Sequence, residues 1–386
     1  LPCRSPWPSL SRLESRRTGG LYAAIVGGFV VSALGGSRFQ IGGPAGAFIV
    51  LVSATVARFG VDGTLLAVLL SGLLLTLVGA FRLGSLIRHI PHAVTVGFTA
   101  GIACTILASQ LKELGGLKLD GAEPGPVIPK LVAIVRALPT LNPTALALGC
   151  GVVLAVFALR QWKPSFPGML VSVAAASALA WLGGLDVATV GNSFGSLPHG
   201  LPMPQLPPMT PQLLRDVFPT ALAFTLLGGI ESLLSAKVAD SMTDRVHRSN
   251  MELIAQGIAN VASALFGGIS VTGTIARTAT NVRAGAASPI AGILHSAFLL
   301  LFMLVATPLA GFVPLAALAA VLLVVSWNMV EKSEFVRLLK NRCTAAVLLA
   351  TFGLTLLEDL TAGIIAGCVL AAVLAVMHRG VPEEGA

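Results

Sequence analysis

Charge is scarce in this sequence. Only 11% of its 386 residues are Asp, Glu, Lys or Arg, while 55% are hydrophobic, against roughly 25% charged in an average soluble domain. A soluble globule of that composition could not cover its surface, which excludes cytosolic enzymes, nucleic-acid binders and secreted disulfide folds. Cysteine is also sparse. Cys3, Cys104, Cys150, Cys343 and Cys368 show no C-x-x-C or metal-like spacing, which leaves inert thiols. No Gly-rich nucleotide loop, no H-E-x-x-H and no Ser/His/Asp set in a supporting context is present, so no enzyme, metal or resident cofactor is expected. The first 19 residues carry arginines but no apolar core. They lack the h-region of a secretory signal and are expected to be a disordered or non-native start.

What the chain has is apolar runs. About 13 blocks of about 20 residues put roughly 260 residues in membrane. Spans are expected near 20 to 36, 61 to 80, 91 to 110, 142 to 159, 167 to 184, 217 to 236, 250 to 266, 287 to 307, 312 to 330, 343 to 357 and 360 to 377. Two shorter segments lie near 44 to 58 and 273 to 285. At 1.5 Å per residue they reach only about 20 Å, short of the ~30 Å hydrocarbon core, so each starts inside the membrane.

Alternating the loops puts Arg82, Arg88, Arg160, Lys163, Lys237, Arg245, Arg248, Arg283, Lys332, Arg337, Lys340, Arg342 and Arg379 on one side. The other side holds Arg58, Lys112, Lys118, Lys130, Arg136 and Arg215. The positive-inside rule makes the first set cytoplasmic, which puts the C-terminus inside; the expected location of this multi-pass protein is the inner (plasma) membrane. The long loops 111 to 141 and 185 to 216 read as external linkers. The expected domains are one transmembrane domain over 20 to 379, with a first repeat 20 to 184, an external linker 185 to 216 and a second repeat 217 to 379, then a cytoplasmic tail 380 to 386.

The stretches GGFVVSALGGSRFQIGGPAGAF at 27 to 48 and GIANVASALFGGISVTGTIARTA at 257 to 279 share a plan. A helix ends in Ser-Ala-Leu and glycines, a short extended piece follows, and a new helix begins. A shift of 231 aligns Ser32-Ala33-Leu34 with Ser263-Ala264-Leu265 and Gly42 with Gly273. With the orientation above, one copy runs inward and the other outward. Inverted repeats with interrupted half-helices point to a transport site near the midplane. A helix beginning there leaves N–H groups unpaired and carries about half a positive charge at its start, so two facing starts make an anion site. Pro44 suits a first helical turn, and Gly42, Gly43, Gly46 and Gly273 let a ligand approach the backbone. Thr272 and Thr274 can cap or donate. The structural alternative is that small residues here serve helix packing.

Arg277 falls in the first turn of the second half-helix at membrane depth, where an arginine is functional by default or else pairs with Glu231 or backbone carbonyls. Glu231 lies inside a span with Ser235 one turn on, sharing a face. That pair could carry H⁺ or ligate Na⁺, or Glu231 could form a salt bridge to Arg277. Asp240, Asp244, Arg245, His247 and Arg248 read as a solvated cytoplasmic loop, with a helix start at Asn250 to Glu252. Gln256 and Asn260 read equally as interhelical hydrogen bonds or pathway residues, and His295 as structural.

Together, GGSRFQIGGPAGAF, IESLLSAKVADSMT and NMELIAQGIANVASALFGGISVTGTIARTATNVRAGA resemble the bacterial SulP (sulfate permease) inorganic anion transporters from about Gly20 to about Arg379. The resemblance implies an all-α membrane protein with a seven-plus-seven inverted repeat, core and gate domains, and elevator-like secondary transport. It implies two half-helices, from Pro44 and from Gly273, that meet at the midplane and bind the substrate. The implied substrate site is Gly43, Pro44, Ala45, Gly46 and Ala47 with Gly273, Thr274, Ile275, Ala276 and Arg277. Glu231 and Ser235 match a coupling-ion position where some members have Asp and Thr. The polar start implies that 13 of 14 helices are present, and the end at Ala386 implies no STAS domain. The expected function is transport of sulfate, bicarbonate, chloride or small dicarboxylates, in symport with H⁺ or Na⁺. The partners expected are that anion, the lipid bilayer and a second copy of the chain. A channel or binding scaffold without coupling, a nucleobase transporter of the same fold, and an inactive fragment stay open as alternatives.

Overall fold

The computed structural model describes residues 19–46, 48–84, 91–121, 123–124, 126–163, 166–194, 200–358 and 360–377. The expected disordered start, the cytoplasmic tail, Ala47, Arg88 and Arg379 lie outside them. In lipid every backbone polar group must be satisfied internally, so the apolar runs become helices. In chain order these are α1 (Gly19–Leu34), α2 (Phe48–Ala80), α3 (His92–Leu114), α4 (Val127–Ala137), α5 (Pro143–Trp162), α6 (Gly168–Leu182), α7 (Val190–Phe194), α8 (Pro211–Ser241), α9 (Ser249–Leu265), α10 (Ile275–Arg283), α11 (Ile290–Val305), α12 (Thr307–Ala310), α13 (Leu315–Met329), α14 (Lys332–Leu339), α15 (Arg342–Leu357) and α16 (Leu360–Met377). Two short strands, β1 (Gly42–Gly43) and β2 (Thr272–Gly273), precede α2 and α10. Five stretches among the described residues are long and apolar enough to cross a membrane: Leu51–Ala80, His92–Leu114, Pro143–Trp162, Pro211–Ser241 and Leu315–Leu339.

Helix ends follow local chemistry. Thr210 caps α8 by accepting from the Leu213 N–H at 3.3 Å, with Pro211 in the first turn. Asn142 caps α5 through the Thr144 and Ala145 N–H groups. Within α2, Gly60 has φ 72° and ψ −173°, a conformation essentially restricted to glycine. It separates a short first segment, 48 to 59, from the following 61 to 80.

The described residues form two compact units. The first draws on Leu1–His89 and Leu197–Thr307, the second on Ile90–Ser196 and Pro308–Ala386. In the first unit α9 packs along α2 through glycines. A Cβ on Gly257 would lie 2.5 Å from Gly72 O and 2.2 Å from Thr76 Oγ1. Small residues at a membrane helix crossing let backbones approach closely. Gly257→Leu is therefore expected to cost about 1–3 kcal/mol by overpacking, seen as a lower thermal midpoint in detergent. An unchanged midpoint would contradict the packing described.

In the second unit α3 lies against α15, and a Cβ on Gly97 would meet Leu348 O at 2.6 Å. Here the loop expected as a bare linker over 111 to 141 contains α4. Its Lys130 is 4% exposed, and Nζ donates to Ser109 Oγ at 2.6 Å and pairs with Glu123 Oε1 at 2.9 Å. Eleven residues are too few to span a bilayer, so hydropathy passes over a helix that is stabilised by packing Ile134 and Ala137 on Leu117. The 185 to 216 linker likewise holds α7 and ends at Thr210, where the α8 cap begins.

Candidate functional site

β1 and β2 pair antiparallel, with Gly42 opposite Gly273 and Gly43 opposite Thr272. The Thr274 N–H extends the pairing to Ile41 O at 3.2 Å. Gly42 and Gly273, which the 231 shift makes equivalent, therefore face each other, consistent with a local two-fold axis at that pair. α10 starts two residues past β2 and α2 starts five past β1, so both helix starts lie close to the strand pair. Each start carries a partial positive charge.

One boundary differs from the expectation. The first half-helix begins at Phe48, and Pro44 stands outside it. The Phe48 and Ile49 N–H groups donate to Ala45 O and Gly46 O, both at 3.1 Å, which makes i→i+3 turns ahead of the helix. With glycines at 42, 43 and 46 the stretch gains little from helical geometry before Phe48. At the second start Thr274 holds the N-cap position without a side-chain cap bond. Its Oγ1 donates to Ile41 O at 3.1 Å, and Thr272 Oγ1 shares a hydrogen bond with Ser232 Oγ at 2.9 Å. Thr274 thus binds the first crossing and Thr272 binds α8, and neither side chain caps the helix.

A polar lattice holds the two crossings. Thr278 Oγ1 accepts from the Ile41 N–H at 3.2 Å, and Asn281 Nδ2 donates to Phe39 O at 2.9 Å. Gln40 Nε2 donates to Ser232 O at 3.2 Å, and Ser232 Oγ accepts from the Gly273 N–H at 3.1 Å. Asn260 pairs with both backbone groups of Val271, each at 2.9 Å, and Gln256 Nε2 also donates to Val271 O. Gln256 and Asn260 thus fix the second strand onto α9. Gln40, Ser232, Thr278 and Asn281 were not singled out in the sequence. Thr274, Thr278 and Asn281 recur at helical spacing on one face of a very short helix, and that polar stripe was the signal available.

Arg277 reaches back to the first repeat. A Cβ on Gly43 would stand 2.3 Å from its Nη1, so only a residue without a side chain lets the guanidinium rest there. Nη2 is 3.5 Å from Pro44 O, and Nη1 is buried with no hydrogen-bond partner. Glu231 forms no ion pair with it among the described residues, and Glu231 Oε2 is also buried without a partner. The salt bridge allowed by the sequence is absent among the described residues, where Arg277 turns to Gly43 and Pro44 on the other crossing. Ser235, fully buried, donates to Thr278 Oγ1 at 3.0 Å. Thus Gly43, Pro44, Gly273, Thr274 and Arg277 come together, flanked by Ala45, Gly46, Ile275 and Ala276 in the chain. Glu231 and Ser235 sit on the adjoining α8.

The expected solvated loop is also corrected. Asp240 Oδ2 meets His247 Nδ1 at 2.5 Å, Asp240 Oδ1 accepts from the His247 N–H at 3.0 Å, and His247 Nε2 contacts Ser249 Oγ at 3.0 Å. This clasp ties the end of α8 to the start of α9, while Asp244, Arg245 and Arg248 remain exposed. The residues lie only seven to nine apart in a tight turn, which makes the chain of bonds a local closure of the helical hairpin.

The sequence pattern of the sulfate permease family matches residues 10–351. A putative sulfate transporter of Bacillus subtilis, YvdB, is 40% identical over 354 residues, 91% of this chain and 67% of its own length. The bicarbonate transporter BicA of Synechocystis is 31% identical over 376 residues, 93% of this chain and 64% of its own length. The transmembrane domain of a cyanobacterium bicarbonate transporter BicA superposes with a TM-score of 0.77 at 26% identity, covering 94% of this chain and 92% of that one. The murine Slc26a9 anion transporter, in an inward-facing state, superposes with a TM-score of 0.84 at 18% identity, covering 96% of this chain and 66% of that one. The fold is thus the seven-plus-seven inverted repeat of membrane transporters.

Proposed function

This chain belongs to the sulfate permease family, and on that premise we propose that it carries a small inorganic or carboxylate anion across a membrane. The anion is held where β1 and β2 turn into the two half-helices, and its charge is met by Arg277. The observation that carries this reading is the half-buried Arg277 guanidinium beside Gly43, whose Nη1 atom is buried and unpartnered. A buried cation is retained only with a partner, and a small anion between the helix starts supplies one.

The basic loop side is cytoplasmic in this reading, and the membrane is the inner (plasma) membrane. Uptake into proteoliposomes of sulfate, bicarbonate, chloride and a dicarboxylate in parallel tests the proposal. Saturable uptake of at least one is expected. Competition by uracil and by none of the anions would overturn it.

Glu231 is the coupling residue of this reading, because its Oε2 is buried without a partner on the helix that supports β2. A carboxylate so placed takes up H⁺ or, with a hydroxyl and carbonyls, Na⁺. Glu231→Gln is expected to leave anion binding in place while flux no longer follows an imposed pH or Na⁺ gradient. A variant that still concentrates anion in response to the gradient would remove Glu231 from the mechanism.

A further inference from the structure

Glu252 and Gln256 occupy successive turns of α9 and are both 0% exposed. Each uses one terminal atom on a different crossing. Glu252 Oε2 accepts from the Ser37 N–H at 3.0 Å, on the turn that leads into β1, and Gln256 Nε2 donates to Val271 O beside β2. In each residue the other atom, Oε1, is buried with no partner. The Gln256 amide cannot be turned over to help. Val271 O is an acceptor only, and a flip would set two oxygens against each other.

Side chains at i and i+4 share one helix face, about 5–6 Å apart at Cβ. Two acceptors one turn apart therefore lack a donor, and an ionised Glu252 would add a buried charge facing an amide oxygen. The first turn of α9 and the backbone N–H groups of Gly36 and Ser37 favour a negative charge, but that gain is smaller than the cost of burying the charge with an orphan oxygen. One proton on Glu252 Oε1, donated to Gln256 Oε1, satisfies both groups at once.

We infer that Glu252 is a proton-binding site that fastens both strand crossings to α9, separate from Glu231 and independent of which anion is carried. The protonated Glu252–Gln256 pair links the Ser37 turn to Val271 through one helix face. Loss of the proton sets the carboxylate against the Gln256 oxygen and loosens the crossings that shape the candidate site. The charged groups on the elements packed against α9 do not offer a substitute partner. Arg38 and Arg248, at either side of the Ser37 turn, Arg82 just past the end of α2, and Lys237 on α8 are exposed, and Asp240 is bonded to His247. Glu231 on α8 lies on the face of Ser235, which turns to Thr278. Arg215 and Asp216 stand at the start of α8, and Arg58 and Asp62 flank the Gly60 break of α2, each about three turns or more from the α9 start.

Infrared spectroscopy of the full chain in detergent, in a Glu231→Gln background and without added anion, tests this. A carboxylic-acid carbonyl stretch is expected near neutral pH and is lost on Glu252→Gln. Amide exchange gives a second readout. If loosening releases one proton, exchange at Ser37 and Val271 rises about tenfold more per pH unit than in Glu252→Gln. An acid band that Glu252→Gln leaves unchanged, or parallel exchange profiles, would overturn the assignment. Should Glu252→Gln not fold, Gln256→Met reads the same bond, because losing its acceptor moves the acid stretch to higher frequency. An unmoved band would refute the pair. None of these outcomes depends on transport, so failure here is distinguishable from failure of the anion reading.

Discussion

Replacing Arg277 by Ala is expected to weaken anion uptake by roughly ten- to a hundredfold while stabilising the anion-free fold. The first effect follows from losing a charge-assisted hydrogen bond, about 1.5–3 kcal/mol, at a desolvated position. The second follows from Nη1 being buried without a partner. An unsatisfied buried group costs roughly 1–3 kcal/mol, which the substitution removes. Wild-type protein should gain thermal stability when sulfate or bicarbonate is added, by about 2.7 kcal/mol at a hundredfold excess over Kd, and Arg277→Ala should gain little. Arg277→Lys should fall between, because it keeps the charge and loses the planar fork. Unchanged uptake kinetics in Arg277→Ala, or equal anion stabilisation of both proteins, would remove Arg277 from the site.

Gly273→Ala is the second large effect. The added Cβ would lie 1.4 Å from Gln40 Nε2 and 2.4 Å from its Cδ. Gln40 cannot simply swing aside, because it is buried and its amide donates to Ser232 O. The methyl group therefore pushes apart the two crossings where they pair, at a cost of about 1–3 kcal/mol, and uptake should be lost with it. The assignment makes a further demand. Gln40→Ala, which removes the obstructing amide, should restore part of the stability and uptake of Gly273→Ala. A double variant no better than the single one would show that the contact is not the cause.

The spans were legible because a bilayer imposes one length and one polarity on everything that crosses it. Runs such as 142 to 159 and 250 to 266 reappear as Pro143–Trp162 and Ser249–Leu265. The break between 44 to 58 and 61 to 80 was legible as well, and it falls at Gly60. The offset of 231 residues, read from Ser-Ala-Leu and glycines, returns as the register of β1 on β2. What stayed hidden depends on individual turn and side-chain bonds. The helix start at Phe48 rather than Pro44 reflects turn bonds to Ala45 and Gly46. α4 is held by Lys130, whose charge is masked by Glu123 and Ser109. The Asp240–His247 clasp closes the turn between α8 and α9, and the reach of Glu252 to Ser37 follows from how α9 packs on the first repeat. No periodicity encodes those pairings.

The most direct measurement is to locate the anion itself, by anomalous scattering from selenate soaked into or grown with the full chain. Selenium is expected one Se–O bond beyond a selenate oxygen that accepts from Arg277 Nη1, beside the backbone of Gly43 and Gly273, and absent from Arg277→Ala under the same conditions. Selenate that is transported by the protein yet binds elsewhere, or that keeps its place when Arg277 is removed, would contradict the account.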